Sequence, residues 1–179
     1  MKKRLKSWQR TGFLFTGISG TLLHFIYDWT NECIIVAPFS AVNESTWEHM
    51  KLLFFPMLVF AVIQYKVMGR AYEDFWCVKL TGTLAGLTLI PVLFYTYSGV
   101  LGKTADWFNI TIFFISAAFA YWLEYIMLKN EYNCRLSAGV AVAVFVVIAA
   151  AFVIFTFIQP KVPLFMDPVT NSYGVQLPK

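Results

Sequence analysis

The stretch NESTWEHMKLLFFPMLVFAVI, Asn43–Ile63, joins a short polar segment to a long apolar run. Ser45-x-x-Glu48 has the form of a capping box, in which a serine hydroxyl and a glutamate carboxylate satisfy free N–H groups where a helix starts. Asn43 is a second capping candidate, and an acidic first turn suits the helix dipole. Trp47 fits the aromatic belt at a membrane boundary. A helix that starts here and continues for about 20 residues can cross roughly 30 Å of hydrocarbon.

Similar runs recur along the chain, near Phe13–Trp29, Trp47–Val67, Phe75–Ser98, Trp107–Leu128 and Leu136–Ile158. The 179 residues are 59% hydrophobic and 13% charged, with a mean hydropathy of +0.63. A soluble domain of this size cannot hide so much apolar surface, so lipid is the expected surrounding partner. Membrane strands are about half as long and alternate in polarity, so these runs predict helices. The expected fold is all-α: one polytopic membrane bundle of five spans over residues 1–179. The basic MKKRLKSWQR before the first run suggests a signal peptide, but His24–Glu32, HFIYDWTNE, stands where a small-residue cleavage site belongs. The first run is therefore expected to remain as a span.

Orientation follows from lysine and arginine in the short links. Lys2, Lys3, Arg4, Lys6 and Arg10 precede the first run; Lys66 and Arg70 lie in the second link, Lys129 and Arg135 in the fourth. Thr30–Thr46 has neither residue type and the third link has only Lys103. This predicts a cytoplasmic N-terminus and an outer, non-helical C-terminal tail. The net charge of +4 is accounted for by topology and contact with anionic lipid, not by nucleic acid. Cys33 is assigned outside, Cys77 within the third helix and Cys134 inside, so no pair shares a compartment and no disulfide is expected.

Polar residues within spans mark the bundle interior. The first helix carries Gly17, Thr21, His24 and Asp28 on one stripe, and the second carries Glu44, Glu48 and Lys51 with His49 beside them. Thr81, Thr88 and Tyr95 recur on the third, where Gly82-x-x-x-Gly86 offers a close-packing face within the bundle or toward a second copy. The fourth has Asn109, Ser116, Ala120 and Glu124; the fifth has no polar stripe and is expected at the periphery. Pro56 and Pro91 lie inside helices and are expected to kink them. Glu124 belongs near the inner end, with Lys129 or Lys79 as its simplest ion-pair partner.

At the outer end, Glu44 and Glu48 repel if both are ionised and unpaired. His24, Asp28, Glu44, Glu48 and His49 form a candidate site for Zn²⁺, Mn²⁺ or Fe²⁺, or for protons. Capping and structural salt bridges form the competing reading. Asp106 lies at the same end. The tail QPKVPLFMDPVTNSYG has too many prolines for a sixth span and is expected to fold onto the outer surface, where Asp167 or Tyr173 caps the cluster.

Val42–Pro56, VNESTWEHMKLLFFP, with Pro163–Gly174, PLFMDPVTNSYG, resembles a family of small bacterial five-span membrane proteins with no assigned function. The resemblance covers nearly the whole chain and implies the topology and a bacterial inner-membrane location, but no activity. Asn43, Glu44, Ser45, Trp47 and His49 also partly resemble the Asn-Glu-Ser/Thr…Trp…His pattern of the progestin/adiponectin-receptor and alkaline-ceramidase hydrolases, which hold zinc with histidines and an aspartate. Here the histidine follows the glutamate by five positions instead of seven, five spans replace seven, and no HxxxH occurs in a late helix. With two histidines in the chain, a three-histidine zinc site is excluded.

Three functions fit these observations. One is a transporter- or channel-like protein whose outer cavity binds a cation or protons, with the carboxylates holding the ion and a histidine sensing pH. Another is a metal-dependent hydrolase acting on a lipid or amphiphile at the outer leaflet, with Glu48 as candidate general base. The last is an assembly subunit whose polar cluster only ties the first two helices together.

Overall fold

The computed structural model describes residues 2–175. Five long helices follow one another: α1 (Lys2–Trp29), α2 (Thr46–Val67), α3 (Phe75–Leu101), α4 (Asp106–Lys129) and α5 (Ala138–Phe157). Single 3₁₀ turns at Gly69–Ala71 and Pro163–Phe165 and one antiparallel bridge, Met166–Tyr173, complete the regular structure of the described residues. The fold is all-α, as hydropathy predicts.

Local chemistry sets three of the helix ends. Ser45 caps α2, its hydroxyl accepting the Glu48 N–H at 3.4 Å, and Ser137 caps α5 by accepting the Val140 N–H at 3.3 Å. Gly102, in the left-handed region at φ 66°, ends α3 and donates its N–H to the Ser98 carbonyl. Pro56 and Pro91 lie inside α2 and α3, and both helices run unbroken past them.

Four helices, Thr46–Val67, Phe75–Leu101, Trp107–Lys129 and Ala138–Phe157, are long and apolar enough to cross a membrane. α1 is longer but falls outside that set. Its charged first turns and its Gly, Thr, His and Asp residues dilute the apolar run.

The core lies between α2, α3 and α4 and centres on Leu53, Phe54, Met57, Phe60, Leu87 and Ala120. α3 and α4 make the most extensive contact. A Cβ placed on Gly82 would stand 2.4 Å from Glu124 Cγ and 3.1 Å from the Ala120 carbonyl oxygen, so glycine is what permits this approach. The Gly82/Gly86 face is thus used inside the bundle. α5 is peripheral, with only 22% of its apolar window buried, mainly through Ala141, Phe145, Phe152 and Thr156.

Two expectations need correction. Thr88 and Tyr95 of α3 are exposed, Tyr95 reaching Thr46 at the edge of α2, and the glycine stripe faces in; threonines such as Thr81 and Thr96 satisfy their hydroxyls on carbonyls one turn back in their own helix. The interior is therefore mostly apolar, with a few buried polar clusters. Cys77 and Cys134 form a disulfide across 6.2 Å between Cα atoms. The expectation of none treated Cys77 as a mid-helix residue. It stands in the first turn of α3, at the same end as the α4–α5 link, where the Cys134 N–H also donates to Asp74 Oδ2 at 3.2 Å.

Candidate metal centre

The approach to α2 determines where its acidic residues point. Asn43 Oδ1 accepts the Ser45 N–H at 3.0 Å, making a tight turn before the cap. The helix proper begins at Thr46, so Glu44 precedes it and is free of the α2 stripe that Glu48 and Lys51 occupy. On α1, Ser40 from the intervening loop accepts the Tyr27 N–H at 3.1 Å and donates to the Leu23 carbonyl. Those two groups would pair with each other in a regular helix, so Ser40 anchors the loop to the turn that carries His24. Gly20 lets this turn approach closely: a Cβ there would stand 2.5 Å from Phe113 Cζ and 2.8 Å from the Leu52 carbonyl oxygen.

His24, Glu44 and His49 meet at this end of the bundle. His24 Nε2 is 3.6 Å from Glu44 Oε1, and His49 Nε2 is 3.5 Å from Glu44 Oε2. The imidazole centroids are 5.6 Å apart, and one ligand atom from each of the three residues falls within 4.8 Å of the others. His49 Nδ1 lies 2.9 Å from the Ser45 carbonyl oxygen, an acceptor, which assigns that nitrogen as the N–H. In the neutral ring the Nε2 lone pair then faces the carboxylate. With both rings neutral the cluster carries the negative charge of Glu44, which a positive charge between the three side chains, a proton or a metal ion, would balance. Ligands about 2.05 Å from a tetrahedral zinc stand about 3.3 Å apart, close to the two histidine–carboxylate separations, and the full set of three, within 4.8 Å, would draw in slightly around an ion. The bond from His49 Nδ1 to a carbonyl is also the outer contact that orients metal-bound histidines. His24 Nδ1 is buried without a hydrogen-bond partner in the protein.

The other sequence candidates lie elsewhere. Asp28 is exposed, outside the three-residue group. Glu48 is fully buried against Lys51, with Oε2 2.6 Å from Nζ and 3.1 Å from the Val42 N–H. Lys51 also donates to the Ala37 carbonyl and to Thr156 Oγ1, each at 2.9 Å, which completes the ammonium's hydrogen bonds. Asp167 is buried within its own turn, accepting the Val169 N–H at 2.7 Å, and Tyr173 bridges to Met166. Gly174 accepts from Asn43 and donates to Gln159 Oε1, and Gln159 Nε2 in turn reaches Glu48 Oε1 at 3.5 Å, so the tail is tied to the end that holds the Glu48–Lys51 pair. Glu124 lies toward the opposite end of the bundle, paired with Lys79 at 2.5 Å. The side chain of Asp106 is outside the described residues.

Ser40, Thr156 and Gln159 support this end of the bundle, and sequence reading does not single them out. Only Thr156 leaves a signal, as a polar residue at the end of an otherwise apolar helix.

A groove of 260 Å³ reaches His24 and His49 from the α1–α4 side, with Gly20, Phe25, Ile110 and Phe113 among its walls. A larger cavity of 560 Å³, beside Asp74 and Glu131, lies at the disulfide end, away from the histidines.

Fold and site together define an apolar helical bundle, membrane-like in four of its helices, with a His/Glu cluster at one end. The chain belongs to a family of unknown function (DUF6512), which matches residues 1–175. No curated protein and no solved structure matches it.

Proposed function

We propose that this protein crosses the membrane five times and holds a divalent transition-metal ion on His24, Glu44 and His49 at the outer face. The observation that carries this reading is the approach of both histidine Nε2 atoms to the two oxygens of one carboxylate, at 3.6 and 3.5 Å. Two imidazoles and a carboxylate suit Zn²⁺, Mn²⁺ or Fe²⁺, and three protein ligands leave a coordination position open. α1 supplies the fifth span. Its 28 residues reach about 42 Å at about 1.5 Å per residue. Leu14, Ile18, Leu22 and Phe25 face outward along it, while Thr16 and Gly20 turn inward. The lysine and arginine distribution supports an N-terminus in the bacterial cytoplasm. Below the histidines, Leu52, Leu53, Phe60 and Phe113 close the bundle, which favours a held ion over a conducted one.

Elemental analysis and calorimetry on protein purified in detergent test this reading. The expected result is one metal ion per chain, lost in His24→Ala and His49→Ala variants that remain folded. Failure of wild-type protein to take up any of the three metals would refute it.

A second reading, a metal-dependent hydrolase for a membrane amphiphile, is favoured by the apolar groove that opens beside both histidines. A metal-bound water there would lie next to a chain held in the groove. Comparing metal-loaded with chelator-stripped protein on lipid vesicles, with products read by mass spectrometry, tests it. Identical product profiles would remove it.

A further inference from the structure

A second polar layer lies deeper in the bundle, and contacts between the helices fix its level. α1 buries the stripe Leu5, Gln9, Gly12 and Thr16. Leu5 packs with Val78, Met127 and Leu128, whereas Gly12 lies against the rings of Phe60 and Tyr121. Gln9 therefore stands between those two contacts. Gln64, one turn after Phe60, and Glu124, one turn after Tyr121, come to the same level from α2 and α4. Lys79, next to Val78 on α3, joins them through its bond to Glu124. Each of these four side chains comes from a different helix, and none is more than 4% exposed.

Their hydrogen bonding is incomplete in a specific way. Gln9 Nε2, Gln9 Oε1, Gln64 Oε1 and Glu124 Oε1 are all buried without a partner in the protein. The large majority of buried side-chain polar atoms have one, so four at a single level need a physical reason. Lys79 makes one hydrogen bond, to Glu124 Oε2, and otherwise faces the rings of Phe60, Phe75 and Tyr121 at 5.9, 5.6 and 5.3 Å.

The charges decide what kind of ligand fits. One ammonium and one carboxylate cancel, so the layer makes no demand for an ion, unlike the His24–Glu44–His49 cluster. What it offers is three oxygen acceptors and an amide donor beside an ammonium with hydrogens to spare. Water, which donates twice and accepts twice, matches that set. We propose that Gln9, Gln64, Lys79 and Glu124 form an internal water-binding site, separate from the metal centre. Water held there places an exchangeable proton beside Glu124, the arrangement used where carboxylates relay protons within membranes.

Hydroxyl-radical footprinting of the whole protein in nanodiscs, in isotopically labelled water, tests this. Phe60 and Phe54 form a matched pair, 3% and 0% exposed, the first over Lys79 and the second in apolar core. Phe60 is expected to take up labelled oxygen several-fold more than Phe54, and the Gln9→Leu/Gln64→Leu double variant to lower it to the Phe54 level. Equal labelling of the two phenylalanines in the wild-type protein would overturn the proposal, because the side chains would then pair with one another in a dry layer. Label at Phe60 that persists in a folded double variant would overturn it too. Neither outcome depends on whether the histidines bind metal.

Discussion

Glu44 and Glu48 lie four residues apart yet serve different clusters: Glu44 Oε2 stands 3.5 Å from His49 Nε2, and Glu48 Oε2 stands 2.6 Å from Lys51 Nζ. Their separation follows from the cap at Ser45, which leaves one glutamate before the helix and the other inside its first turn.

Substitutions at these two positions are expected to separate metal binding from stability. Glu44→Gln removes a charged ligand and should weaken metal binding at least about 10-fold, more than loss of an outer contact would, while changing thermal stability little, since the Glu44 side chain is 43% exposed. Glu48→Gln should lower the unfolding temperature and leave metal stoichiometry unchanged. Calorimetric titration and thermal unfolding of both variants check this, and a loss of metal in Glu48→Gln alone would contradict it.

Lys51→Met should be strongly destabilising, by about 3–5 kcal/mol, because it leaves a fully buried carboxylate without its partner. The cost comes from the uncompensated charge, so Lys51→Met combined with Glu48→Leu should recover most of the loss. Unfolding of the single and double variants in the same detergent provides the measurement. A double variant no better than the single would mean that the contacts to Ala37 and Thr156 matter more than the charge.

Gly82→Ala should cost about 1–3 kcal/mol, since its Cβ would meet Glu124 Cγ and the Ala120 carbonyl. Gly99→Ala is the control: a Cβ at Gly99 meets nothing within 4 Å, and alanine improves an α3 position. Unfolding temperatures of the two variants should move in opposite directions.

The Cys77–Cys134 bridge closes a loop with a sequence separation of 57, for which chain entropy gives a stabilisation of about 4 kcal/mol. Reduction, or Cys77→Ala, should lower stability by roughly that amount, whereas Cys33→Ala should not, because Cys33 is a free thiol. In the proposed orientation the bridge would face the cytoplasm, where disulfides are usually transient. Rapid alkylation in cells, followed by mass spectrometry, should therefore find both reduced and oxidised chains. A fully oxidised population would argue for the opposite orientation.

The sequence by itself determined the helices. Apolar runs of helical length place α2 to α5 to within a few residues, and Ser45 and Ser137 mark two starts, because capping and hydropathy act within a turn or along one segment. Sequence also pointed to His24, Asp28, Glu44, Glu48 and His49 as one neighbourhood, since the link between the first two helices returns α2 beside α1. Tertiary structure decided the partners. That Glu44 rather than Glu48 or Asp28 meets the histidines depends on how Ser40 and Gly20 seat α1 against α2. Likewise, that Cys77 meets Cys134, and that Gln9 stands level with Glu124, depends on the rotation and depth at which helices distant in sequence pack. No local pattern encodes those quantities; they follow from which close approaches the glycines allow and which buried charges can be paired.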